Sequence, residues 1–230
     1  MTLPPHAADR PSDRYFAGDR HDLLDWLGGH HERVLEIGCG AGGNAGWLRA
    51  HGARQIVGIE LDPASADVAR RVFDDVLEGP VEEVLSAIRE SFDLVICADV
   101  LEHLVNPGSV LVELAGHLDS YGTLVASIPN IRHYRALARI AFGRGFAGDP
   151  EGVFDRTHLR FFTRANIAET LAASGFEPVR WGASPSRHFR AVRRAIASGF
   201  LGDYTAYQWY VAAVHPMSRH NSSLVAQGAL

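Results

Sequence analysis

Lysine is absent from this chain of 230 residues, so all 22 of its basic residues are arginine. Cysteine is scarce, with Cys39 and Cys97 alone, and no apolar run is long enough to cross a bilayer. Residues 1–13 contain three prolines and lack the apolar stretch of a signal peptide. A disulfide framework and a membrane span are therefore not expected, and a reduced, cytoplasmic location is favoured. The arginine bias is typical of GC-rich bacterial coding.

The charge balance is acidic, with a formal net charge of −5 at pH 7 and a pI near 6.2. Nonspecific binding to nucleic acid needs a surplus of positive charge, so the sequence disfavours that partner and favours a small molecule. One basic cluster has the spacing of a solvated helix face. Its members are Arg187, Arg190, Arg193 and Arg194.

Apolar runs of strand length alternate with segments of helical period along most of the chain. The predicted strands are 33–37, 55–60, 75–78, 92–98, 122–128, 176–181 and 208–215. The predicted helices are 43–51, 63–72, 81–89, 107–118, 131–142 and 164–174, with Asp62 and Thr163 as caps. The alternation predicts an α/β, doubly wound and mostly parallel sheet covered by helices on both faces.

A hydrophobic content of 47% suits one large core, so we expect a single domain over residues 14–215. Within it, 14–28 has a helical pattern that predicts a cap over the site, and the Gly-rich, charged segment 143–160 predicts a lid or acceptor loop. The tails 1–13 and 216–230 are expected to be disordered or flexible. The oligomeric state stays open, a homodimer included.

The segment 34–43 reads Val-Leu-Glu-Ile-Gly-Cys-Gly-Ala-Gly-Gly, which is a strand followed by a glycine loop and a helix. Such a loop lets a ligand approach the backbone, and the helix N-terminus can bind an anion. The loop also satisfies the dinucleotide pattern through Gly38, Gly40 and Gly43. Glu60 follows Gly38 by 22 residues, where an acid would hold ribose hydroxyls. Taken alone, the loop fits a nicotinamide dinucleotide as well as S-adenosylmethionine (SAM).

The charge of Glu36 separates these two ligands. Its carboxylate stands just before the first glycine and would repel the pyrophosphate of a dinucleotide. The same carboxylate would attract the ammonium and sulfonium groups of SAM, whose own carboxylate can use the helix N-terminus. The loop therefore favours SAM.

Here the chain resembles the class I SAM-dependent methyltransferases. Segment 35–42 resembles their first motif, 58–62 (Gly-Ile-Glu-Leu-Asp) their ribose-binding strand end, and 92–104 their fourth motif. The resemblance covers about 15–214 and implies a seven-stranded, Rossmann-like sheet with an antiparallel last strand and SAM as cofactor. Carried over by residue, it implies cofactor contacts at Glu36, Gly38, Cys39, Gly40, Gly42, Glu60, Leu61, Val81 and Asp99.

The resemblance divides these contacts among the parts of SAM. It implies that Glu36 and the glycines hold the methionine part, Glu60 the ribose, and Asp99 or its neighbours the sulfur end. Many members have Gly-Asp after the third strand to bind adenine, whereas this chain has Gly-Pro-Val-Glu at 79–82. Because proline lacks a backbone N–H, we expect the Val81 amide to serve adenine. The alternative for Leu61 and Val81 is plain core packing.

Methyl transfer requires alignment of the acceptor, methyl carbon and sulfur, and a hydroxyl acceptor must also lose a proton. Candidates for this chemistry are Asp99, Glu102, His103 and His158. Their pattern resembles the Glu-x-x-Glu-His and distant His of small-RNA 2′-O-methyltransferases and ubiquinone-pathway O-methyltransferases, which implies a divalent metal; here Asp99 replaces the first Glu. Two carboxylates and two imidazoles suit Zn²⁺, Mn²⁺ or Fe²⁺ better than Mg²⁺. Three alternatives remain. Glu102 and His103 cap or brace the helix that follows the fourth strand, or His158 is a metal-free general base, or His158 is a structural residue paired with Asp155.

The acceptor site is expected at the carboxyl end of the fifth strand and in the loop before His158. Its predicted members are Asn130, His133, Tyr134 and Arg156, in segments that resemble bacterial methyltransferases of glycan or natural-product pathways. The sequence thus predicts methyl transfer from SAM to an oxygen, less so a nitrogen, of a small metabolite, sugar or natural-product scaffold. The alternatives are metal-assisted 2′-O-methylation of RNA and a non-catalytic SAM sensor or scaffold.

Overall fold

The computed structural model describes residues 19–143, 146, 148–185 and 202–216. In chain order its strands are β1 Arg33–Ile37, β2 Gln55–Glu60, β3 Asp75–Glu78, β4 Phe92–Ala98, β5 Leu118–Pro129, β6 Glu177–Pro185 and β7 Ala206–Val214. Its helices are α1 His21–Leu27, α2 Ala45–Ala50, α3 Pro63–Ala69, α4 Val81–Val84, α5 Pro107–His117, α6 Tyr134–Phe142, α7 Arg164–Ala173 and α8 Gly202–Thr205. Two 3-10 turns lie at Leu85–Ala87 and Leu101–His103.

All seven strands form one sheet in the order β3-β2-β1-β4-β5-β7-β6. Strands β1 to β5 are parallel to one another, and β7 runs antiparallel to both β5 and β6. The predicted seven-stranded fold with an antiparallel last strand is therefore confirmed. The strand order reverses between β1 and β4, and ligands of open α/β sheets bind in the crevice at such a reversal.

The core has two layers because consecutive strand residues point to opposite faces of the sheet. In β1, Val34 packs into one buried cluster, whereas Leu35 and Ile37 pack into the other. Helix α1 contributes Leu23 and Leu24, both fully buried, to the cluster that contains Val34. Burial on both faces explains why the central strands are almost continuously apolar.

The predicted caps are present, while several helix ends differ. Asp62 accepts a hydrogen bond from the Ser65 amide at 2.9 Å, and Thr163 accepts one from the Asn166 amide at 3.2 Å. The second helix begins at Ala45 rather than at residue 43, because the glycine loop continues through Asn44. Helix α3 ends at residue 69 rather than 72, and α4 becomes a 3-10 turn that ends at 87 rather than 89.

Strand β5 begins four residues before its predicted start, because Leu118 pairs with Phe92 across an irregularity in the β4–β5 ladder. In 143–160 the described residues form turns and one bridge between Asp149 and Asp155. The tail 1–13, the start of the cap segment, the arginine cluster 187–194 and nearly all of 216–230 lie outside the described residues. Within the described part, no helix has the length and apolar character needed to cross a membrane.

Candidate active site

The loop after β1 has a conformation that only glycine adopts without strain. Gly38 and Gly42 have φ angles of 68° and 83°. A Cβ on Gly38 would lie 2.9 Å from Val100 Cγ2, and one on Gly42 would lie 2.6 Å from Val72 Cγ2. Backbone geometry and close packing therefore both require glycine in this loop.

Glu36 and Asn44 form a buried polar pair beside the loop. Both residues are 3% exposed, and the Asn44 side-chain amide donates to Glu36 Oε1 at 2.7 Å. Glu36 Oε2 is buried, and none of the residues that the structure describes forms a hydrogen bond with it. Burial is the main cause that raises the pKa of Glu36 to about 7; the charge of Glu60 adds to it, and the bond from Asn44 opposes it. A cationic ligand group would compensate this carboxylate, as expected for SAM.

Glu60 ties the end of β2 to the glycine loop. Its Oε2 accepts from the Gly40 amide and its Oε1 from the Asp62 amide, both at 2.8 Å. The carboxylate is 6% exposed. It therefore lies at the loop, where an acid was predicted to bind the ribose.

The residues predicted near adenine differ in exposure. Leu61 is 66% exposed, whereas Val81 belongs to the buried core. Val81 is the first residue of α4, so its amide has no acceptor within the helix. Cys39, also predicted to contact SAM, is buried, and its thiol lies 3.9 Å from the Gly40 carbonyl oxygen. Cys39 and Cys97 are both free thiols, as the sequence predicts.

Arg20 is a functional candidate that sequence reasoning missed. It lies just before α1, and its guanidinium donates to Asp99, to Ser127 Oγ at 2.7 Å and to Gln208 Oε1 at 3.2 Å. Its backbone amide donates to Asn44 Oδ1 at 2.8 Å. Arg20 thus links the ends of β4, β5 and β7 to the glycine loop. The sequence signal was its position in the segment predicted to fold over this edge.

Asp99 directly follows β4 and has a left-handed conformation with φ 55°, which is uncommon for a residue other than glycine. Its carboxylate accepts from Arg20 and from Gln208 Nε2 at 2.6 Å. Removal from water raises the pKa of Asp99, and the Arg20 charge opposes that rise. The carboxylate of Asp99 contacts Arg20, and the group of metal-capable side chains that the structure brings together contains the other three residues of the predicted metal set. A role of Asp99 at a metal stays a prediction.

The other three residues of that set meet at the carboxyl end of β4. Glu102, His103 and His158 each offer one ligand atom, and these atoms lie within 4.8 Å of one another. His158 Nε2 is 4.0 Å from Glu102 Oε1. The amides of Leu159 and Arg160 donate to the Glu102 carbonyl oxygen at 2.9 and 3.1 Å, which holds the His158 loop against the 3-10 turn. The structure thus brings together residues 55 positions apart in the sequence.

Glu102 is the most unusual member of this group. Its side chain is 1% exposed, and both carboxylate oxygens are buried without a hydrogen-bond partner among the described residues. Burial, with a contribution from the Asp99 charge, raises the pKa of Glu102 well above its ordinary value. An unpaired buried carboxyl group costs stability, so it indicates a place for a cation or a hydrogen-bond donor.

The hydrogen bonds of the two histidines define which ring nitrogen is basic. His158 Nδ1 lies 3.0 Å from the Val153 carbonyl oxygen, which can accept but not donate. Nδ1 therefore carries a proton, and Nε2, on the side of Glu102, is the basic nitrogen. Burial and the neighbouring His158 lower the pKa of His103, which favours its neutral, metal-binding form. The sequence also suggested a pairing of His158 with Asp155. The Asp155 carboxylate accepts hydrogen bonds from the amide and hydroxyl groups of Thr157, while the His158 ring contacts the Val153 carbonyl oxygen.

The predicted acceptor residues have different environments. Asn130 is fully buried, and its amide nitrogen donates to the carbonyl oxygens of Asp203 and Ala206 at 2.7 and 2.8 Å. Its Oδ1 accepts from the Arg132 amide, so the side chain braces α8 rather than facing open space. His133 is 2% exposed, and burial lowers its pKa to about 4.

The remaining acceptor candidates, Tyr134 and Arg156, are half-buried and exposed, respectively. An aromatic group lies on the same loop as His158, with ring centroids of Phe146, Phe154 and Phe161 5.2–6.0 Å apart. Phe146 is 58% and Phe161 39% exposed, which provides an apolar surface along the loop. A surface depression of about 550 Å³ lies elsewhere, between α5 and α7, and contains none of the predicted site residues.

Comparison with known proteins identifies relatives of this chain. A family model described as a methyltransferase domain matches residues 8–180. The ubiquinone biosynthesis O-methyltransferase of Hahella chejuensis is 38% identical over 90 residues, which are 36% of this chain and 37% of that protein. The protein of the same name from Aromatoleum aromaticum is 29% identical over 166 residues, 67% of this chain and 69% of that one.

Solved structures share the fold at low sequence identity. A SAM-dependent methyltransferase structure from Listeria monocytogenes, described as putative, has a TM-score of 0.61 and 17% identity, over 89% of this chain and 99% of that one. Magnesium protoporphyrin IX methyltransferase from Synechocystis, solved with bound SAM, has a TM-score of 0.51 and 17% identity, over 85% and 75% of the two chains.

Proposed function

Since the chain belongs to the methyltransferase-domain family and is a SAM-dependent enzyme, we propose that it methylates a hydroxyl oxygen of a small-molecule acceptor. We further propose that the acceptor hydroxyl binds at Glu102, His103 and His158. The relatives named as O-methyltransferases support oxygen over nitrogen. The aromatic residues beside the loop support an acceptor with an apolar or aromatic part.

The observation that carries this proposal is the buried Glu102 carboxyl group, for which the described part of the chain provides no hydrogen-bond partner. A buried polar side chain with a purely structural role normally forms hydrogen bonds with neighbouring groups of the protein. The donor set of one carboxylate and two imidazoles, with Nε2 of His158 available as a ligand nitrogen, fits a divalent metal ion. Glu102, His103 and His158 would hold that ion. When bound, it would lower the pKa of the acceptor hydroxyl.

The reaction itself is a displacement at carbon. The acceptor hydroxyl gives up its proton to a base or to solvent, and its oxygen forms a bond to the methyl carbon of SAM while the carbon–sulfur bond breaks. The electron pair of that bond remains on sulfur, and S-adenosylhomocysteine leaves. Glu36 and Glu60 bind and orient the cationic nucleoside, which is the main catalytic requirement of an in-line transfer.

A metal-free route is the second candidate, and the 4.0 Å separation between His158 Nε2 and Glu102 Oε1 favours it. On this route His158 accepts the hydroxyl proton, and Glu102 stabilises the resulting imidazolium. The two routes differ in their dependence on metal. Both require the same three side chains.

The test combines metal binding with a methyl-transfer screen. Purified protein is titrated with Co²⁺, and tritiated SAM is supplied with sugars, phenols and RNA as acceptors before and after chelation. We expect Glu102→Gln to weaken Co²⁺ binding by about tenfold or more, while Glu83→Gln, at an exposed position on α4, leaves it unchanged. Absence of Co²⁺ binding together with activity that resists chelation would refute the metal route. Methylation confined to nitrogen or to RNA would refute the proposed acceptor.

A further inference from the structure

A short chain of hydrogen bonds leads from the buried Asp155 to His103. Asp155 is 5% exposed, and its Oδ1 accepts from Thr157 Oγ1 at 2.7 Å and from the Thr157 amide at 2.8 Å. Thr157 Oγ1 lies 3.1 Å from His103 Nδ1. A hydroxyl group has one hydrogen, and here Asp155 accepts it. The oxygen of Thr157 therefore presents lone pairs to His103.

The backbone reinforces this direction. The Thr157 carbonyl oxygen lies 3.3 Å from His103 Nδ1 and can accept but not donate. Both groups that Thr157 offers to Nδ1 are therefore acceptors, which requires a proton on that nitrogen. The basic nitrogen of neutral His103 is then Nε2, as it is in His158.

The same turn also positions His158. The His158 amide donates to the Asp155 carbonyl oxygen at 3.0 Å, while the Asp155 side chain closes the turn through Thr157. One buried carboxylate thus organises the segment that carries one histidine and orients the ring of the other. Removal of the Thr157 hydroxyl would abolish the shorter of these two contacts with His103 Nδ1.

We propose that Asp155 and Thr157 are positioning residues, which fix His103 in the tautomer protonated on Nδ1 so that Nε2 serves the acceptor or a metal. This inference rests on the proposed function of Glu102, His103 and His158. Neither positioning residue needs to touch the substrate. Hydrogen-bonded partners of this kind keep a histidine oriented and set its basic nitrogen.

The test is a measurement of the His103 tautomer by long-range ¹H–¹⁵N NMR on the full chain, with the signals assigned by comparison with His103→Asn. We expect the wild type and Thr157→Ser to carry the proton on Nδ1. Thr157→Val, which keeps the longer contact to the carbonyl oxygen, should lower the fraction of His103 that is protonated on Nδ1. It should also bind Co²⁺ about tenfold more weakly, with unchanged affinity for SAM. Thr170→Val, which removes a hydroxyl that donates to the Asn166 carbonyl oxygen on α7, is the matched control and should resemble the wild type.

A wild-type His103 protonated on Nε2, or a Thr157→Val variant with the wild-type fraction protonated on Nδ1, would overturn the inference. Failure of Thr157→Ser to retain the tautomer would do the same, because the serine hydroxyl supplies the same acceptor. The NMR measurement needs neither acceptor nor metal. A changed tautomer in Thr157→Val therefore supports the positioning role of Asp155 and Thr157, whatever the metal experiment shows. Co²⁺ binding that is insensitive to Glu102→Gln would overturn the proposed metal route and leave this inference standing.

Discussion

Replacement of Glu36 by glutamine should stabilise the folded protein above neutral pH and weaken cofactor binding. Glu36 is 3% exposed, and burial is the main reason that its pKa rises from 4.5 to about 7. Glutamine has the same shape, cannot ionise, and retains an oxygen that accepts from the Asn44 amide. The variant therefore reproduces the neutral form of Glu36 at every pH.

The sign and size of the stability change follow from proton binding. Between pH 4.5 and about 7 the folded chain keeps a proton on Glu36 that the unfolded chain has lost, so this group lowers stability as the pH rises. The rise of the Glu36 pKa from 4.5 to about 7 corresponds to a cost of about 3 kcal/mol above pH 7. Glu36→Gln should remove that cost at pH 8 and have little effect at pH 4.5. For a domain of this size, the gain corresponds to a rise of about 6–12 °C in the unfolding temperature.

Cofactor binding should change in the opposite direction. The ammonium and sulfonium groups of SAM favour the ionised carboxylate, so the affinity of the wild type should increase as the pH rises towards about 7. In Glu36→Gln the affinity should be about tenfold lower at pH 8 and independent of pH over this range, since hydrogen bonds to charged groups contribute about 1.5–3 kcal/mol.

The assay is thermal unfolding at pH 5, 6, 7 and 8, combined with calorimetric titration of SAM at the same pH values. Glu83→Gln is the matched control, because its carboxylate is exposed on α4 and its loss should leave both profiles unchanged. Equal unfolding temperatures for the wild type and Glu36→Gln at pH 8 would refute the assigned cost of burial. Equal affinities for SAM would refute the role of Glu36 in binding the cationic cofactor.

Two further substitutions separate cofactor binding from methyl transfer. Glu60→Ala should weaken SAM binding by about 10- to 100-fold, because charged hydrogen bonds to the ribose are lost. Circular dichroism checks that the variant is folded. An unchanged dissociation constant for SAM would contradict the ribose role. His158→Ala should lower turnover by about 100-fold, the lower range of proton-transfer effects, and should spare SAM affinity. Normal turnover in that variant would remove His158 from the reaction.

Much of the sheet was predictable because its central strands are defined by local patterns. The bounds of β1, β2 and β4 agree with the prediction, since strands buried on both faces are largely apolar and end at polar or glycine residues. The bounds of the edge strand β3 agree as well, although only Val76 of its four residues is buried. The start of β5 was missed because Asp119 and Ser120 are polar, and their segment is a strand through its pairing with β4. Pairing between distant segments overrides local propensity there.

The site was predictable to the extent that its residues are close in sequence. The glycine loop with Glu36, and Glu60 at the next strand end, follow from one strand–loop–helix pattern and its spacing. Arg20 and Asp99 are 79 positions apart in the sequence, and no local sequence pattern predicts their contact. The hydrogen bonds from the Asn130 side chain to the carbonyl oxygens of residues 203 and 206 are also long-range. They hold a side chain that the sequence placed in the acceptor pocket against the backbone of α8 and β7.

The order of apolar runs and glycines by itself determined the fold class, the strand from which the cofactor loop rises, and the preference for a cationic nucleoside. These properties depend on backbone conformation and on charges adjacent in the chain. Tertiary structure decided which groups surround each ionisable side chain. It placed Asp99 against Arg20 and buried Glu102 beside two histidines. It also connected Asp155 to His103 through Thr157. The physical reason is that burial and hydrogen bonding depend on which distant segments pack together, and that packing sets both pKa values and tautomers.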